Sequence, residues 1–304
     1  MSPRSCIIHT DAITKKFGTT EALSGVSLGV SPGEIVGFVG PNGAGKTTTI
    51  SILLGFLRPS SGTVQLFGEK VTPENAHTFH QRVGYAAGDM ALLENLNGAQ
   101  FLSHMGHLTR LHKTFQKELI EKFEPVLNKP LKTLSRGNKQ KIALIAALQH
   151  QPKLLILDEP TSGLDPFMQE IFFDTIRAQV KDGVTVFMSS HILSEVAEVC
   201  SRVVFMKQGS IIYDESIKSI EQQAGKEVRI RADKSTLLNL IRNRPSGLGK
   251  PHTHSDGSVT FLYKGTTTRL LKWLATQKIK DVDIKERDLD SIFHSMYETG
   301  ASKR

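Results

Sequence analysis

Cysteine, tryptophan and long apolar runs are all scarce in this sequence of 304 residues. Its two cysteines, Cys6 and Cys200, lack the close spacing of a metal site, and two thiols are too few for a disulfide framework. The first residues, MSPRSCIIHTDAI, lack the apolar core of a signal peptide. No segment approaches the roughly 18 consecutive apolar residues that a membrane-spanning helix needs. We therefore expect a protein of a reducing, cytoplasmic compartment, which would need another chain to cross a membrane.

A net excess of positive charge is also missing from most of the chain, although the formal net charge is +8. Residues 226–304 contain 16 Lys and Arg against 9 Asp and Glu, so the residues before them are close to neutral. A uniformly basic surface, as in many nucleic-acid-binding proteins, is therefore not indicated, and no nucleic-acid partner is expected. The preferred interpretation of the basic last third is a solvated dimerisation or regulatory domain. Contact with anionic lipid headgroups is the alternative.

The apolar pattern predicts an α/β protein of two domains. Short apolar runs such as GEIVGFVG (33–40) and KLLILDEP (153–160) indicate buried strands, and they alternate with segments of helical periodicity. This alternation is typical of a central, largely parallel sheet, here preceded by a β-rich portion and interrupted by a helical block at about 95–151. The pattern restarts near residue 220. We expect a first domain at 1–220 and a small α+β domain at 221–304.

A glycine-rich segment, GPNGAGKTT (40–48), matches the pattern G-x-x-x-x-G-K-[ST] between a predicted strand and a predicted helix. Its glycines allow backbone N–H groups to turn inward around phosphate oxygens, and the start of the helix adds a partial positive charge. Lys46 can then reach the β- and γ-phosphates of a nucleotide, and the Thr47 hydroxyl can bind Mg²⁺. The full pattern in this setting favours a phosphate site over an ordinary glycine-rich turn.

Two acids follow the apolar strand LLIL. Asp158 lies at the carboxyl end of the strand, where open α/β sheets bind ligands, and it can hold Mg²⁺. Glu159 comes next and can accept a proton from a water molecule or orient it. Adjacent acids also occur on solvated turns. Because the same chain also contains the phosphate-loop pattern, we favour a functional role for the two acids.

Taken in order, the motifs of residues 5–217 resemble those of the ATP-binding cassette (ABC) ATPases. GPNGAGKTT resembles the Walker A motif, LLILDEP the Walker B motif and LSRGNKQK (134–141) the signature motif. SGLD, which ends at Asp165, resembles the D-loop, and His191 in SSHILSEVAEVC resembles the switch histidine. Phe17 resembles the aromatic residue that stacks on adenine. The resemblance implies a P-loop NTPase-type cassette with a β subdomain and a helical subdomain.

The same resemblance implies ATP and Mg²⁺ as cofactors and a head-to-tail dimer closed on two ATP molecules. It assigns nucleotide contacts to Phe17, Gly40, Asn42, Gly43, Gly45, Lys46, Thr47, Thr48, Ser135, Gly137 and Asp165. Of these, Ser135 and Gly137 are expected to contact the ATP that the other subunit holds. Catalysis is assigned to Glu159, His191 and Lys46, and Mg²⁺ binding to Thr47 and Asp158.

The sequence departs from the family pattern at two places. The Q-loop position, usually Gln or Glu, falls on Gly88, with Asp89 next to it. Glycine has no side chain with which to sense Mg²⁺ or the attacking water, which puts efficient hydrolysis or its coupling in question. LSRGN also replaces the commoner LSGGQ, and this change keeps a polar amide.

The function implied by the resemblance is that of the ATP-hydrolysing subunit of an ABC transporter. The closing segment ERDLDSIFHSMYE (286–298) is similar to that of ATPase subunits of bacterial drug and antibiotic exporters, which favours export. The expected partners are a separate transmembrane permease subunit and a second copy or a homologous ATPase subunit, at the inner face of the cell membrane. Two alternatives stay open. One is a regulatory or weakly hydrolysing cassette, and the other is a nucleic-acid-associated ABC ATPase.

Overall fold

The computed structural model describes residues 6–88 and 92–286, with the backbone alone at 221–224 and 286. These residues divide into two compact units, the first ending at Glu215 and the second beginning at Ser216. The boundary that the sequence predicts, after residue 220, falls inside a helix at Ile217–Ala224. The sequence also predicts a helix at LDSIFHSMY (289–297), and this segment and Asp89 lie outside the described residues. Within the described part of the chain, no helix is both long and apolar enough to cross a membrane.

The first unit opens with an antiparallel sheet of four strands in the order β2-β1-β4-β5. Its strands are β1 (Ile8–Phe17), β2 (Thr20–Val30), β4 (Ser61–Leu66) and β5 (Glu69–Lys70). Alternate residues Val26, Leu28 and Val30 of β2 are buried, as the period-2 geometry of a strand with one covered face requires. This sheet belongs to the predicted β-rich portion.

A second sheet of six strands forms the centre of the unit, in the order β10-β9-β3-β8-β7-β6. Its strands are β3 (Ile35–Val39), β6 (Val83–Ala87), β7 (Leu154–Asp158), β8 (Thr185–Ser190), β9 (Arg202–Lys207) and β10 (Ser210–Ser216). The pairs β3–β8, β3–β9, β7–β8 and β6–β7 are parallel, and every residue of β7 is buried. The carboxyl ends of these strands therefore meet at one edge of the sheet, where ligands bind in open α/β folds.

Seven helices of the first unit connect or flank these strands within the described residues. They are α1 (Lys46–Leu53), α2 (His77–His80), α3 (Gly98–Leu108), α4 (Lys113–Phe123), α5 (Arg136–Leu148), α6 (Pro166–Lys181) and α7 (Leu193–Ala197). Helix α3 starts with a reciprocal capping box between Asn97 and Gln100. Helix α5 buries its second half completely, from Ile142 to Leu148. Because one end of α5 is anchored in the core, its exposed first turn has a fixed direction.

The second unit contains α8 (Ile217–Ala224), β11 (Lys226–Arg231), α9 (Lys234–Arg242), β12 (His252–Thr253), β13 (Val259–Tyr263), α10 (Thr267–Leu274) and β14 (Asp281–Glu286). Its sheet is antiparallel, with the order β12-β13-β11-β14. From β11 onward, the succession β-α-β-β-α-β is that of ferredoxin-like folds. Val228, Phe261 and Leu270 contribute to its own hydrophobic core. The sequence does not predict the two-residue strand β12, because the segment RPSGLGKPHTHSDG (244–257), which contains it, has the composition of a loop.

Candidate phosphate-binding site

A cavity of about 650 Å³ opens at the carboxyl ends of the parallel strands. The predicted site residues that line it are Asn42, Gly43, Gly45, Lys46, Thr47, Thr48, Asp158, Glu159 and His191. They come from three separate stretches of the chain, which follow β3, β7 and β8. The cavity therefore brings the glycine loop, the two acids and the histidine into one place.

The glycine loop joins β3 to α1 in a conformation that needs glycine. Gly43 and Gly45 have φ angles of 79° and 109°, in the left-handed region that a Cβ disfavours. At Gly40, a Cβ would lie 2.4 Å from the carbonyl oxygen of Met206. No side chain caps the start of α1, and its first turn contains no acid. The first N–H groups of α1 therefore suit an anion such as phosphate.

Lys46 is buried, and its amino group is held at the loop. Its Nζ donates a hydrogen bond to the carbonyl oxygen of Gly40 at 2.7 Å and lies 3.5 Å from Glu159 Oε1. Since this side chain lines the cavity, its charge adds to that of the helix start. The arrangement suits a polyanion more than a neutral ligand.

Asp158 and Thr47 both line the cavity and are hydrogen-bonded to each other. Thr47 Oγ1 donates a hydrogen bond to Asp158 Oδ2 at 2.9 Å, although the two residues are far apart in sequence. A hydroxyl and a carboxylate are the hard oxygen ligands that Mg²⁺ prefers. Among the described residues, no group of three or more His, Cys, Asp and Glu side chains forms a metal site. The Thr47 hydroxyl and the Asp158 carboxylate fit Mg²⁺, which commonly binds one or two carboxylates together with substrate phosphates and water.

Glu159 has its carboxylate between two cationic or polar groups of the cavity. Its Oε2 lies 2.6 Å from His191 Nδ1, and its Oε1 faces Lys46. Its backbone φ of 52° is in the left-handed region, which is uncommon for a residue with a Cβ. Such outliers cluster at functional sites, where surrounding contacts hold them in place.

The signature segment begins α5 and lies close to the loop that follows Glu159. Ser135 Oγ caps the helix by accepting from the backbone N–H of Asn138 at 3.3 Å. A Cβ on Gly137 would lie 2.4 Å from the carbonyl oxygen of Gly163, so only glycine allows this approach. Neither Ser135 nor Gly137 lines the cavity, whereas Arg136 between them does.

Phe17, Gly40 and Asp165 also lie outside the lining of the cavity. The Phe17 ring is half exposed at the end of β1, with the Lys15 amino group 5.1 Å from the ring centroid. Asp165 caps α6, because its side chain accepts from the backbone N–H of Met168 at 2.9 Å. For these residues the predicted nucleotide contacts stay predictions.

The Q-loop position is tightly packed against the turn that contains Glu159. Gly88 N–H donates to the carbonyl oxygen of Asp158 at 2.8 Å, which continues the pairing of β6 with β7. A Cβ on Gly88 would lie 2.8 Å from the carbonyl oxygen of Glu159 and 3.0 Å from Ser162 Cβ. The glycine therefore has a steric reason that the sequence did not indicate.

Tyr85, Ser162 and Ser189 are among the residues around the site that the sequence analysis missed. Tyr85 and Ser162 line the cavity, and Ser189 contacts both acids. Burial, followed by the charge of Asp158, raises the pKa of the Tyr85 phenol, which stays neutral. Tyr85 could not be found from spacing, because β6 and β7 become neighbours only in the sheet. Ser189 had a signal, since it is a polar residue in a buried strand just before His191.

A glycine loop at the start of a helix, with an aspartate at the end of a parallel strand one strand removed in the same sheet, defines a P-loop protein that binds nucleoside triphosphates. The ABC transporter family model matches residues 23–162. The chain is 34% identical over 262 residues to the Nod factor export ATP-binding protein I of Burkholderia lata, covering 83% of this chain and 84% of that protein. It is also 34% identical over 224 residues to the bacitracin transport ATP-binding protein BcrA of Enterococcus faecalis, covering 71% of each. The chain therefore belongs to the ABC transporter ATP-binding protein family.

Solved structures agree with this assignment. An ATP-binding subunit of an ABC transporter is 26% identical, with a TM-score of 0.66, covering 71% of this chain and 92% of that one. The dimeric cassette MJ0796, at 24% identity and a TM-score of 0.64, shares the fold. The α/β cassette fold and the ATPase class predicted from the sequence are thus confirmed.

Proposed function

We propose that this ATPase is the motor subunit of an exporter, bound to a separate transmembrane permease subunit at the cytoplasmic face of the cell membrane. Export is supported by relatives named for bacitracin transport and Nod factor export. The observation that carries the catalytic part is the position of Glu159, whose carboxylate lies between Lys46 and His191 beside the glycine loop. A carboxylate in that place can serve as a base for water that attacks a bound phosphate.

In this proposal, each residue of the cavity has one role in hydrolysis. The backbone of Asn42, Gly43, Gly45 and Thr48 and the amino group of Lys46 hold the phosphates of ATP. Thr47 and Asp158 would hold Mg²⁺, which would supply positive charge to offset that of the phosphates. Glu159 accepts the proton of the attacking water, and His191 orients Glu159 and contacts the γ-phosphate. Catalysis then comes mostly from positioning and electrostatic stabilisation.

The closed state is proposed to contain two cassettes, either two copies or one copy and a homologous ATPase subunit. Ser135 and Gly137 contact the ATP of the opposite cassette, Phe17 stacks on adenine, and Asp165 of the D-loop contacts the nucleotide. This assignment in trans is supported by the position of Ser135 and Gly137, which do not line the cavity of their own chain. Ser135 is exposed and Gly137 is partly exposed, which leaves both accessible to a second subunit.

The C-terminal residues are proposed to form an accessory domain for dimerisation or regulation, with anionic lipid as a second possible contact of its basic side chains. A regulatory cassette with slow hydrolysis is the second candidate function for the whole chain. It is favoured by Gly88, which offers no Q-loop side chain to the cavity. Measured phosphate release separates the two candidates, and stimulation by DNA or RNA would instead favour a nucleic-acid-associated ATPase.

The test of the catalytic proposal is Glu159→Gln, which keeps the shape of the side chain and removes its basicity. We expect kcat to fall by about 10²-fold or more, the usual contribution of a general base, while ATP binding is retained. Light scattering should show a dimer that persists with ATP. Glu118→Gln, the same change on an exposed part of α4, is the matched control. Full activity of the Glu159 variant would refute the assigned base.

A further inference from the structure

Ser189 connects the two acidic residues of the site through a single hydroxyl group. It is the second-to-last residue of β8 and is fully buried. Its Oγ donates a hydrogen bond to Asp158 Oδ1 and accepts one from the backbone N–H of Glu159 at 3.1 Å. A buried hydroxyl satisfied in this way fixes both of its partners, because neither can turn without losing a bond.

The bond to Asp158 fixes the orientation of its carboxylate. With Oδ1 occupied by Ser189, Oδ2 is directed towards Thr47, at 2.9 Å. These two oxygens, one from Asp158 and one from Thr47, are the ones that suit Mg²⁺ in the proposed function. Groups that orient a metal ligand from behind affect metal affinity although they never touch the metal.

The bonds to Glu159 hold a backbone conformation that is otherwise unfavourable. Glu159 has a φ of 52°, and its N–H also lies 3.2 Å from the carbonyl oxygen of Ser189. Main chain and side chain of Ser189 therefore both hold the turn that directs the Glu159 carboxylate into the cavity. Several simultaneous contacts of this kind are needed to keep a residue other than glycine, such as Glu159, in the left-handed region.

The neighbouring serine provides a contrast. Ser190 is also buried in β8, but its Oγ accepts from Ile192 N–H at 3.0 Å and donates to Glu195 Oε2 at 3.3 Å. Two adjacent hydroxyl groups of one strand thus have separate partners. Only that of Ser189 contacts Asp158 and Glu159.

We propose that Ser189 is a positioning residue for Mg²⁺-dependent ATP hydrolysis. It holds the Asp158 carboxylate in its metal-binding orientation and keeps Glu159 in the left-handed turn from which its carboxylate reaches the water. This role rests on the proposed function of those two acids. It also explains why a hydroxyl group directly follows the buried apolar residues Val186, Phe187 and Met188 in this strand.

The experiment compares Ser189→Ala and Ser190→Ala with the wild-type chain. Binding of the non-hydrolysable analogue AMP-PNP is measured by calorimetry, once with Mg²⁺ and once with EDTA, and the Mg²⁺ concentration for half-maximal ATPase activity is measured in parallel. For Ser189→Ala we expect this half-saturating concentration to rise about 10- to 100-fold, the usual loss on removal of a partner of a metal ligand. Binding in EDTA should stay as in the wild type. Ser190→Ala should leave the Mg²⁺ dependence unchanged.

The outcomes separate this role from a merely structural one. A wild-type Mg²⁺ dependence in Ser189→Ala would overturn the proposal, and so would an equal change in Ser190→Ala. Ser189→Cys keeps the shape of the side chain with a weaker donor, and an intermediate Mg²⁺ dependence is expected from it if the alanine variant unfolds. If the wild-type chain itself bound AMP-PNP equally with and without Mg²⁺, the proposed function would fail, and this role with it.

Discussion

Replacing Gly88 by Gln, a residue usual at the Q-loop position of the family, is expected to slow ATP hydrolysis in this chain. The added Cβ would lie 2.8 Å from the carbonyl oxygen of Glu159 and 3.0 Å from Ser162 Cβ. Both distances are shorter than an ordinary contact, and the first is to backbone that cannot rotate away. The turn that directs Glu159 must therefore move, together with its carboxylate.

The size of the effect follows from the cost of overpacking. Inserting an atom group into a well-packed site costs about 1–3 kcal/mol. If this strain is relieved by displacing Glu159, the same free energy is lost from the transition state, which corresponds to roughly a 5- to 150-fold lower kcat. Gly88→Ala should show most of the loss, because the clash comes from the Cβ and not from the amide.

The assay is phosphate release at saturating ATP and Mg²⁺, with thermal unfolding as a check on folding. Gly249→Gln is the control, because Gly249 belongs to the second unit and a Cβ there would meet a milder contact than at Gly88. Its nearest atom would be the carbonyl oxygen of Leu262, at 3.3 Å. The competing expectation is that Gln restores a missing function. A kcat above that of the wild type in Gly88→Gln would refute the steric reasoning.

Two further predictions concern stability. Arg202 donates to both carboxylate oxygens of Asp214 at 2.6 Å and to Glu34 Oε1 at 3.1 Å. Because these hydrogen bonds join charged groups at a partly exposed site, Arg202→Met should lower the free energy of unfolding in urea by about 2 kcal/mol. Arg177→Met, at a more exposed pair, should cost under about 1 kcal/mol, and equal losses would contradict this ranking. Hydrogen bonds from the Ser258 side chain and backbone hold the pKa of Asp256 well below its usual 3.8. The ionised Asp256 carboxylate therefore stabilises the folded state above pH 3.8, and this stabilisation is lost as the pH falls below 3.8. Between pH 5 and pH 3, the thermal unfolding temperature should therefore fall more for the wild type than for Asp256→Asn. An equal fall in both proteins would refute this role of Asp256.

The contiguous parts of the site could be predicted from the sequence because their chemistry is local. The glycine loop with Lys46 and Thr47 is one uninterrupted pattern between a strand and a helix. Asp158 follows from the rule that ligands bind at the carboxyl ends of parallel strands. The fold class followed in the same way, from alternating apolar strands and amphipathic helices.

The remaining features depend on which strands become neighbours. From the sequence, Gly88 indicated only the loss of the Q-loop side chain. The steric reason for glycine, its packing against Glu159, arises because β6 lies beside β7. Ser189 was missed because its partners belong to β7, which pairs with β8 across a long connection. Arg136 lines the cavity only because α5 starts next to the loop containing Gly163. Sequence spacing contains none of these adjacencies.

The strand order has a consequence for how the protein acquires its activity. Strand β3 pairs with β8, β8 with β7 and β7 with β6, so the neighbours in the sheet are distant along the chain. Pairing of this kind is intrinsically slow, because long loops must close at a cost in entropy before the stabilising contacts between strands can form. A nascent chain that already contains the glycine loop still lacks the acids and the histidine that complete the pocket. Under the proposed roles of these residues, ATP hydrolysis requires β3, β7 and β8 to be paired, and a folding intermediate without these pairings should not hydrolyse ATP.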